Sequence, residues 1–279
     1  MITNEYAVNG KVAIVTGAGR GMGKAIALAL AEAGADTALI ARSKSQLEQT
    51  AEEIHRIGRR AMVLPTDVTQ EEQVKRAVEQ TVKQFGRIDV LVNNAGIFIT
   101  KPVAHIPGKR FPGWEVELAG DNWDRPLTLQ DWHRIIDTNL TSAFLFAQAV
   151  GPHMMRQEKG KVINNSSTSA DVGTPYFSAY CASKAGLSAF TRCLASEWAP
   201  YNINVNAVAP GAVKTDILTP FTENPKVWEP FMAQVPLGRP AEPREIALLV
   251  LFLASAASDY VTGQIFTIDG GAMGHGPSI

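Results

Sequence analysis

The spacing of apolar and polar positions alternates between two periods along the first half of the chain. Lys11-Val12-Ala13-Ile14-Val15-Thr16 is a short apolar run, followed by glycines and by a helical pattern over 24–33 that closes at Gly34. A second run at 37–41 precedes a helix over 43–57 closed by Gly58, and a third at 61–64 precedes a helix opened by Thr69, with Glu72 completing a capping box, and ended by Gly86. Further runs at 88–92, 162–165, 203–209 and 265–268 bring the predicted strands to seven. Strands rich in Val and Ile, apolar on both faces and separated by helices, require a parallel sheet with right-handed crossovers. The expected fold is therefore α/β: a doubly wound, Rossmann-type, seven-stranded parallel sheet with helices on both faces.

Composition changes this picture little. A chain of 279 residues that is 46% hydrophobic can bury its core as one domain, so 1–279 reads as a single catalytic domain. Net charge is −1 and no Lys/Arg-rich block occurs, which points to a small-molecule partner and away from nucleic acid or a membrane surface. No basic segment leads into an apolar one at the N-terminus, and no apolar run is long enough to span a bilayer, so the expected location is cytoplasmic. Cys181 and Cys193 fall on one predicted helix, ~18 Å apart, and read as reduced thiols. The five histidines have no metal-ligand spacing, and no metal site is expected.

Two stretches carry chemistry. Thr16-Gly17-Ala18-Gly19-Arg20-Gly21-Met22-Gly23 joins the first strand to the first helix, where glycines let backbone N–H groups approach a pyrophosphate. Its Gly-x-x-x-Gly-x-Gly spacing differs from the commoner Gly-x-Gly-x-x-Gly fingerprint, and a tight turn alone remains the plain alternative. Tyr180 and Lys184 lie four apart at the start of a helical pattern running through Leu187, Phe190, Leu194 and Trp198 and closed by Pro200. A tyrosine hydroxyl is a poor base at neutral pH, and a nearby ammonium would tune it for proton transfer.

With these two motifs together the chain resembles the short-chain dehydrogenase/reductase family over nearly all its length. Further family signatures stand in order: Asn93-Asn94-Ala95-Gly96 after the fourth strand, Asn139 in Asp137-Thr138-Asn139-Leu140, Ser167 ending Asn165-Ser166-Ser167, and Pro210-Gly211-Ala212-Val213-Lys214-Thr215 after the sixth strand. The resemblance implies that Tyr180 is the general acid/base, that Lys184 lowers its pKa and holds the nicotinamide ribose, that Ser167 hydrogen-bonds the substrate oxygen, and that Asn139 holds a proton-relaying water. It also implies a dinucleotide held by Gly17, Gly19, Arg20, Gly21, Met22 and Gly23, by Asn94, Ala95 and Gly96, and by Pro210, Gly211, Val213 and Thr215, with Tyr180 and Lys184 at its nicotinamide end. Asp67-Val68 resembles the pair that contacts the adenine, although Asp67 also suits a turn before Thr69. Family members are usually homotetramers. Independently of the family, hydride transfer to a carbonyl builds charge on oxygen, and Ser167 and Tyr180 supply the donors and the proton that such a step needs.

Cofactor choice turns on the end of the second strand, where a carboxylate selects NAD and an arginine accommodates the 2′-phosphate of NADP. Here Arg42 occupies that place in Ile40-Ala41-Arg42-Ser43, and Asp36 is at the strand's other end. NADP(H) is expected over NAD(H), with Arg20 as a second phosphate contact, unless both arginines are only solvated surface residues.

The chain departs from the family at about 98–127, where the connection to Asn139 is lengthened by an insertion of mixed charge. Trp114 and Trp123 in it would either shape a substrate pocket or pin the loop to the surface or to a neighbouring subunit. A second segment, at about 213–236, is the substrate lid by resemblance, with Phe221, Trp228 and Phe231 as its apolar contacts. The leading functional expectation is an NADP-dependent oxidoreductase interconverting a secondary alcohol and a ketone. A 3-oxoacyl-thioester reductase acting on an acyl carrier protein comes second, because the mixed-charge insertion offers no basic patch for an acidic carrier. A dinucleotide sensor without turnover comes third, since such proteins commonly lose the tyrosine or lysine.

Overall fold

In the computed structural model, residues 5–104 and 125–274 are described. Seven parallel strands run β1 (Val12–Thr16), β2 (Asp36–Ala41), β3 (Ala61–Pro65), β4 (Val90–Asn93), β5 (Gly160–Asn165), β6 (Ile203–Pro210) and β7 (Ile265–Ile268), ordered β3-β2-β1-β4-β5-β6-β7 in one sheet. The apolar runs lack polar alternation because successive side chains enter different cores. From β1, Ala13 and Val15 join one buried cluster and Ile14 the other; from β4, Val90 and Val92 join the first and Leu91 the second.

Helices α1 (Gly21–Glu32), α2 (Lys44–Arg56) and the late helix Pro243–Ala254 cover the first face, through Leu30, Leu47, Ile54 and Val250. Glu71–Phe85, Ser142–Gln157 and Ser178–Trp198, numbered α3, α5 and α6, cover the second through Val74, Phe146 and Leu194. Leu91 has no exposed surface, so its truncation to alanine would cost about 2–5 kcal/mol. The short helix between α3 and α5 is α4 (Leu129–Ile136).

The seven predicted strands all form, with ends that coincide or shift by at most two residues. One local expectation is overturned. Thr69 and Glu72 do not make a capping box: α3 begins after Gln70, which gives no side-chain cap. Asp67 takes Thr69 instead, accepting from its N–H at 3.0 Å and its hydroxyl at 2.8 Å, so a local side-chain turn outcompetes the cap. A reciprocal capping box does form at Thr128 and Asp131 of α4.

Strand order reverses between β1 and β4, and a crevice at the carboxyl ends is the geometric consequence. Two excursions border it. Residues 105–124, most of the predicted insertion and including Trp114 and Trp123, lie outside the described residues. The described ends of that excursion meet: Leu127 N donates to Pro102 O at 2.7 Å, and Lys101 pairs with Asp131 at 2.7 Å. The expected lid is helical, with a turn at Asp216–Leu218, α7 (Thr219–Thr222) and α8 (Pro225–Ala233). Its ends are held by Lys214 N donating to Ala241 O at 2.9 Å and Leu237 N to Gly270 O at 3.1 Å. The last helix, Pro243–Ala254, is α9. Among the described residues, no helix is long and apolar enough to cross a membrane.

Candidate active site

The turn after β1 is built by exclusion of side chains. Gly17 has φ +68, and a Cβ on it would sit 2.8 Å from Asn94 Nδ2; a Cβ on Gly23 would collide with the Gly17 carbonyl oxygen. Only glycine allows α1 to start this close to the strand end, which leaves the N-terminal N–H groups of α1 facing the crevice. No side chain caps that terminus.

The crevice is a cleft of ≈560 Å³. Every residue from Gly17 to Gly96 expected to hold the dinucleotide lines it, as does Thr215. Arg42 is exposed at its rim beside Ala41 and Ser43, and Asp36 is remote, buried and paired with Arg59 and Arg60 at 2.9 and 2.6 Å. Tyr180, Lys184, Pro210, Gly211 and Val213 do not line the cleft; Pro210 ends β6, and Val213 is buried in a bridge to Ala241. Arg20 is at the rim, but its guanidinium donates to Asp216 at 2.9 Å, which links the glycine loop to the root of the lid. Both partners are exposed, so the pair is worth at most about 1 kcal/mol.

Thr16 was not singled out by its sequence context, yet it ties the floor together. Its hydroxyl accepts from the N–H groups of Asn94 and Ala95, both at 2.9 Å, while Asn94 Nδ2 donates to the Thr16 carbonyl at 2.9 Å. Asn165 Nδ2 donates in turn to Asn94 Oδ1 at 3.0 Å, joining the ends of β1, β4 and β5. A threonine closing a strand is too common for sequence to mark it.

The four residues expected to carry the chemistry converge. Tyr180 lies in the first turn of α6, near enough to Ser167 for the serine hydroxyl to favour its ionised form, and Ser167, which follows β5, accepts from Ser169 N–H at 3.1 Å. Lys184, one turn on and 3% exposed, places Nζ 5.7 Å from the Tyr180 ring centroid and donates to the Asn165 carbonyl at 2.6 Å. Asn139 sits in a π-helical turn, Asp137–Thr141, between α4 and α5. Its amide clamps Ile97, accepting from the N–H and donating to the carbonyl at 2.9 Å each, and donates to Ser183 Oγ at 3.0 Å. Ser183 Oγ donates to the Tyr180 carbonyl at 2.7 Å, so Asn139 braces the tyrosine's turn as well. An ideal Cβ on Gly96 would stand 3.4 Å from Asn139 Oδ1 and 3.6 Å from Lys184 Nζ, which puts the segment after β4 between them.

One electrostatic expectation is corrected. Lys184 does not hold the Tyr180 pKa down in this arrangement: burial pushes the phenol above its ordinary value, opposed by the Ser167 hydrogen bond. Burial also lowers Lys184 to about 8, and its ammonium is directed at a carbonyl rather than at the phenol. Of the lid aromatics, Phe221 and Trp228 pack into the apolar cluster over the site. Phe231 does not; it is 38% exposed and reaches Trp228, with ring centroids 5.8 Å apart.

This architecture is shared with known proteins. The model of the family described as short chain dehydrogenase matches residues 11–226. The chain belongs to the short-chain dehydrogenase family. As a member it is an oxidoreductase. It is 38% identical to the 3-oxoacyl-[acyl-carrier-protein] reductase FabG of Thermotoga maritima, over 95% of this chain and 99% of that protein. Among solved structures it matches a short-chain type dehydrogenase/reductase from Mycobacterium marinum with TM-score 0.86 and 38% identity, covering 99% of this chain and 100% of that one. It also matches a gluconate 5-dehydrogenase from Burkholderia cenocepacia in complex with NADP and tartrate, with TM-score 0.87 and 31% identity, covering 99% and 100%.

Proposed function

We propose that this dehydrogenase reduces a ketone to a secondary alcohol with NADP(H), and that 3-oxoacyl thioesters are the first substrate class to test. The observation that carries the reading is the cluster of Tyr180, Ser167 and buried Lys184, which adjoins, through Gly96, a cleft that presents Arg42 at its rim. The thioester, second in the reading of the sequence, moves forward because curated relatives from Thermotoga maritima and Synechocystis bear the name 3-oxoacyl-[acyl-carrier-protein] reductase. Small-molecule ketones remain within the same chemistry.

The residues present suit a nicotinamide dinucleotide. The glycine turn leaves room that a single Cβ would fill, the α1 N-terminus suits the pyrophosphate, and Arg42, exposed at the rim, suits a 2′-phosphate. When bound, the nicotinamide supplies the hydride. The chain's own part is to receive charge on the substrate oxygen. Ser167 and Tyr180 hydroxyls donate to that oxygen, and the Tyr180 proton ends on it. Burial favours the protonated phenol, as a proton donor in the reductive direction requires. Lys184 holds its place through Asn165 and is positioned to supply charge as the phenol gives up its proton. From its π turn Asn139 fixes Ile97 and Ser183, and by its likeness to the family's asparagine it is also the residue that would hold the proton-relaying water.

The test is NADPH oxidation followed by absorbance with 3-oxobutanoyl thioesters and simple ketones, in wild type and Tyr180→Phe. Turnover should fall at least a thousandfold in the variant with NADPH affinity within about twofold, because the phenol donates a proton but need not hold the nucleotide. A variant that keeps most of its rate would remove Tyr180 from the reaction.

A further inference from the structure

We propose that Phe98, Phe177 and Phe221 form an aromatic subsite beside Tyr180 that receives a flat, apolar ring carried on one side of the substrate carbonyl. This rests on the reading of Tyr180 as proton donor to that carbonyl. The three rings come from separate segments: Phe98 follows β4, Phe177 precedes α6, and Phe221 belongs to α7 of the lid. Phe98 and Phe177 stack at 5.7 Å with planes 8° apart. Both stand nearly edge-on to Tyr180, at 6.2 and 6.3 Å with interplanar angles of 71° and 74°. Phe221 tilts over both at 5.9 and 6.4 Å and is 8% exposed. The ring that gives the proton is thus one wall of an aromatic corner, and the lid closes another.

The stack is held in place by the backbone. Tyr176 adopts φ +68, a conformation that side chains other than glycine rarely take, and its carbonyl accepts from Lys101 N–H at 3.0 Å. That bond ties the segment after Phe98 to the segment before Phe177. The Lys101 ammonium is meanwhile held by Asp131 at 2.7 Å. Phe98, Phe177 and Tyr180 are each only half-buried, while Phe221 is buried behind them, so ring surface stays open beside the proton donor.

Three kinds of carbonyl flank meet this corner differently. A polyhydroxylated chain would give up water at each hydroxyl, and phenylalanine rings return no hydrogen bond. A linear alkyl chain gains area only. A planar ring gains area and the stacked and edge-to-face arrangements that the corner already shows among its own rings.

The experiment uses the full chain with NADPH and three substrates: the 3-oxo-3-phenylpropanoyl and 3-oxobutanoyl thioesters of N-acetylcysteamine, and 5-oxogluconate. We expect kcat/KM for the phenyl substrate to exceed that for 3-oxobutanoyl by about tenfold or more and that for 5-oxogluconate by about a hundredfold or more. Phe177→Leu, which keeps an apolar side chain while removing the ring, should bring the two thioesters to within about twofold of each other through KM, with Tm and NADPH affinity unchanged. Phe98→Leu should do the same. Equal rates for the two thioesters in wild type, a preference for 5-oxogluconate, or variants that lose rate equally on all substrates would overturn the aromatic subsite while leaving the reductase reading standing. Binding of NADPH with no carbonyl reduced at all would overturn both.

Discussion

Lys184 Nζ donates to the Asn165 carbonyl at 2.6 Å, fastening the middle of the Tyr180 turn of α6 to the end of β5. The lysine is buried and held at about 8, below its ordinary 10.5, so between these values the unfolded chain binds more protons than the folded one. Stability from this group therefore rises as pH climbs from about 8. Tyr180 acts oppositely above pH 10, because its raised pKa makes the folded chain keep a proton that the unfolded chain releases. In the window from about pH 8 to 10, thermal unfolding without added nucleotide should show wild type gaining stability relative to Lys184→Met, by no more than about 3 kcal/mol. Parallel Tm profiles for the two proteins would show that Lys184 is not held uncharged by burial.

Arg42 is at the rim of the cleft, and Asp36 is locked to Arg59 and Arg60 at the far end of β2, so the proposed 2′-phosphate contact is a cation with no competing carboxylate at its strand end. Wild type should prefer NADP(H). Arg42→Asp should cut the NADP(H)-to-NAD(H) ratio of kcat/KM at least tenfold, about 1.4 kcal/mol, because it replaces attraction by like-charge opposition. Steady-state rates with both cofactors check this, and a wild type faster with NAD(H) would contradict the assignment of Arg42.

The insertion leaves and re-enters the fold at one neck, where Leu127 N–H meets the Pro102 carbonyl and Lys101 meets Asp131. Replacing 104–124 by a short Gly/Ser linker should therefore keep the fold, with Tm within a few degrees and NADPH affinity within about twofold. Because the neck begins beyond Phe98 and buried Thr100, KM or the substrate ranking should change by severalfold or more. A changed mass by light scattering would mark the segment as part of subunit assembly instead. Unchanged kinetics and mass would remove it from both roles.

Much of the cleft was legible in the chain because it is written in local terms. A glycine turn needs glycines at fixed offsets, β1 and β4 need apolar runs on both faces, and Tyr180 and Lys184 need only one helical turn between them. Arg42 could be placed by its position after β2. These features depend on backbone geometry within a few residues: the glycines and Arg42 line the cleft, the β1 and β4 runs enter the two cores, and Tyr180 and Lys184 meet on one helical turn.

What the tertiary structure decided are relations between distant segments. Thr16 gains its role only because β1 lies beside β4, and Arg20 pairs with Asp216 at the cleft's rim only because the lid root crosses the glycine loop. One local outcome was also left open by the residue pattern: Thr69 gave up its expected cap to Asp67, two residues away, because pattern does not rank two competing local hydrogen bonds. Phe98, Phe177 and Phe221 meet across segments that share no period. The direction of the Tyr180 pKa was likewise set by burial and by where the Lys184 ammonium points, since desolvation depends on what packs around a group and not on which residues precede it.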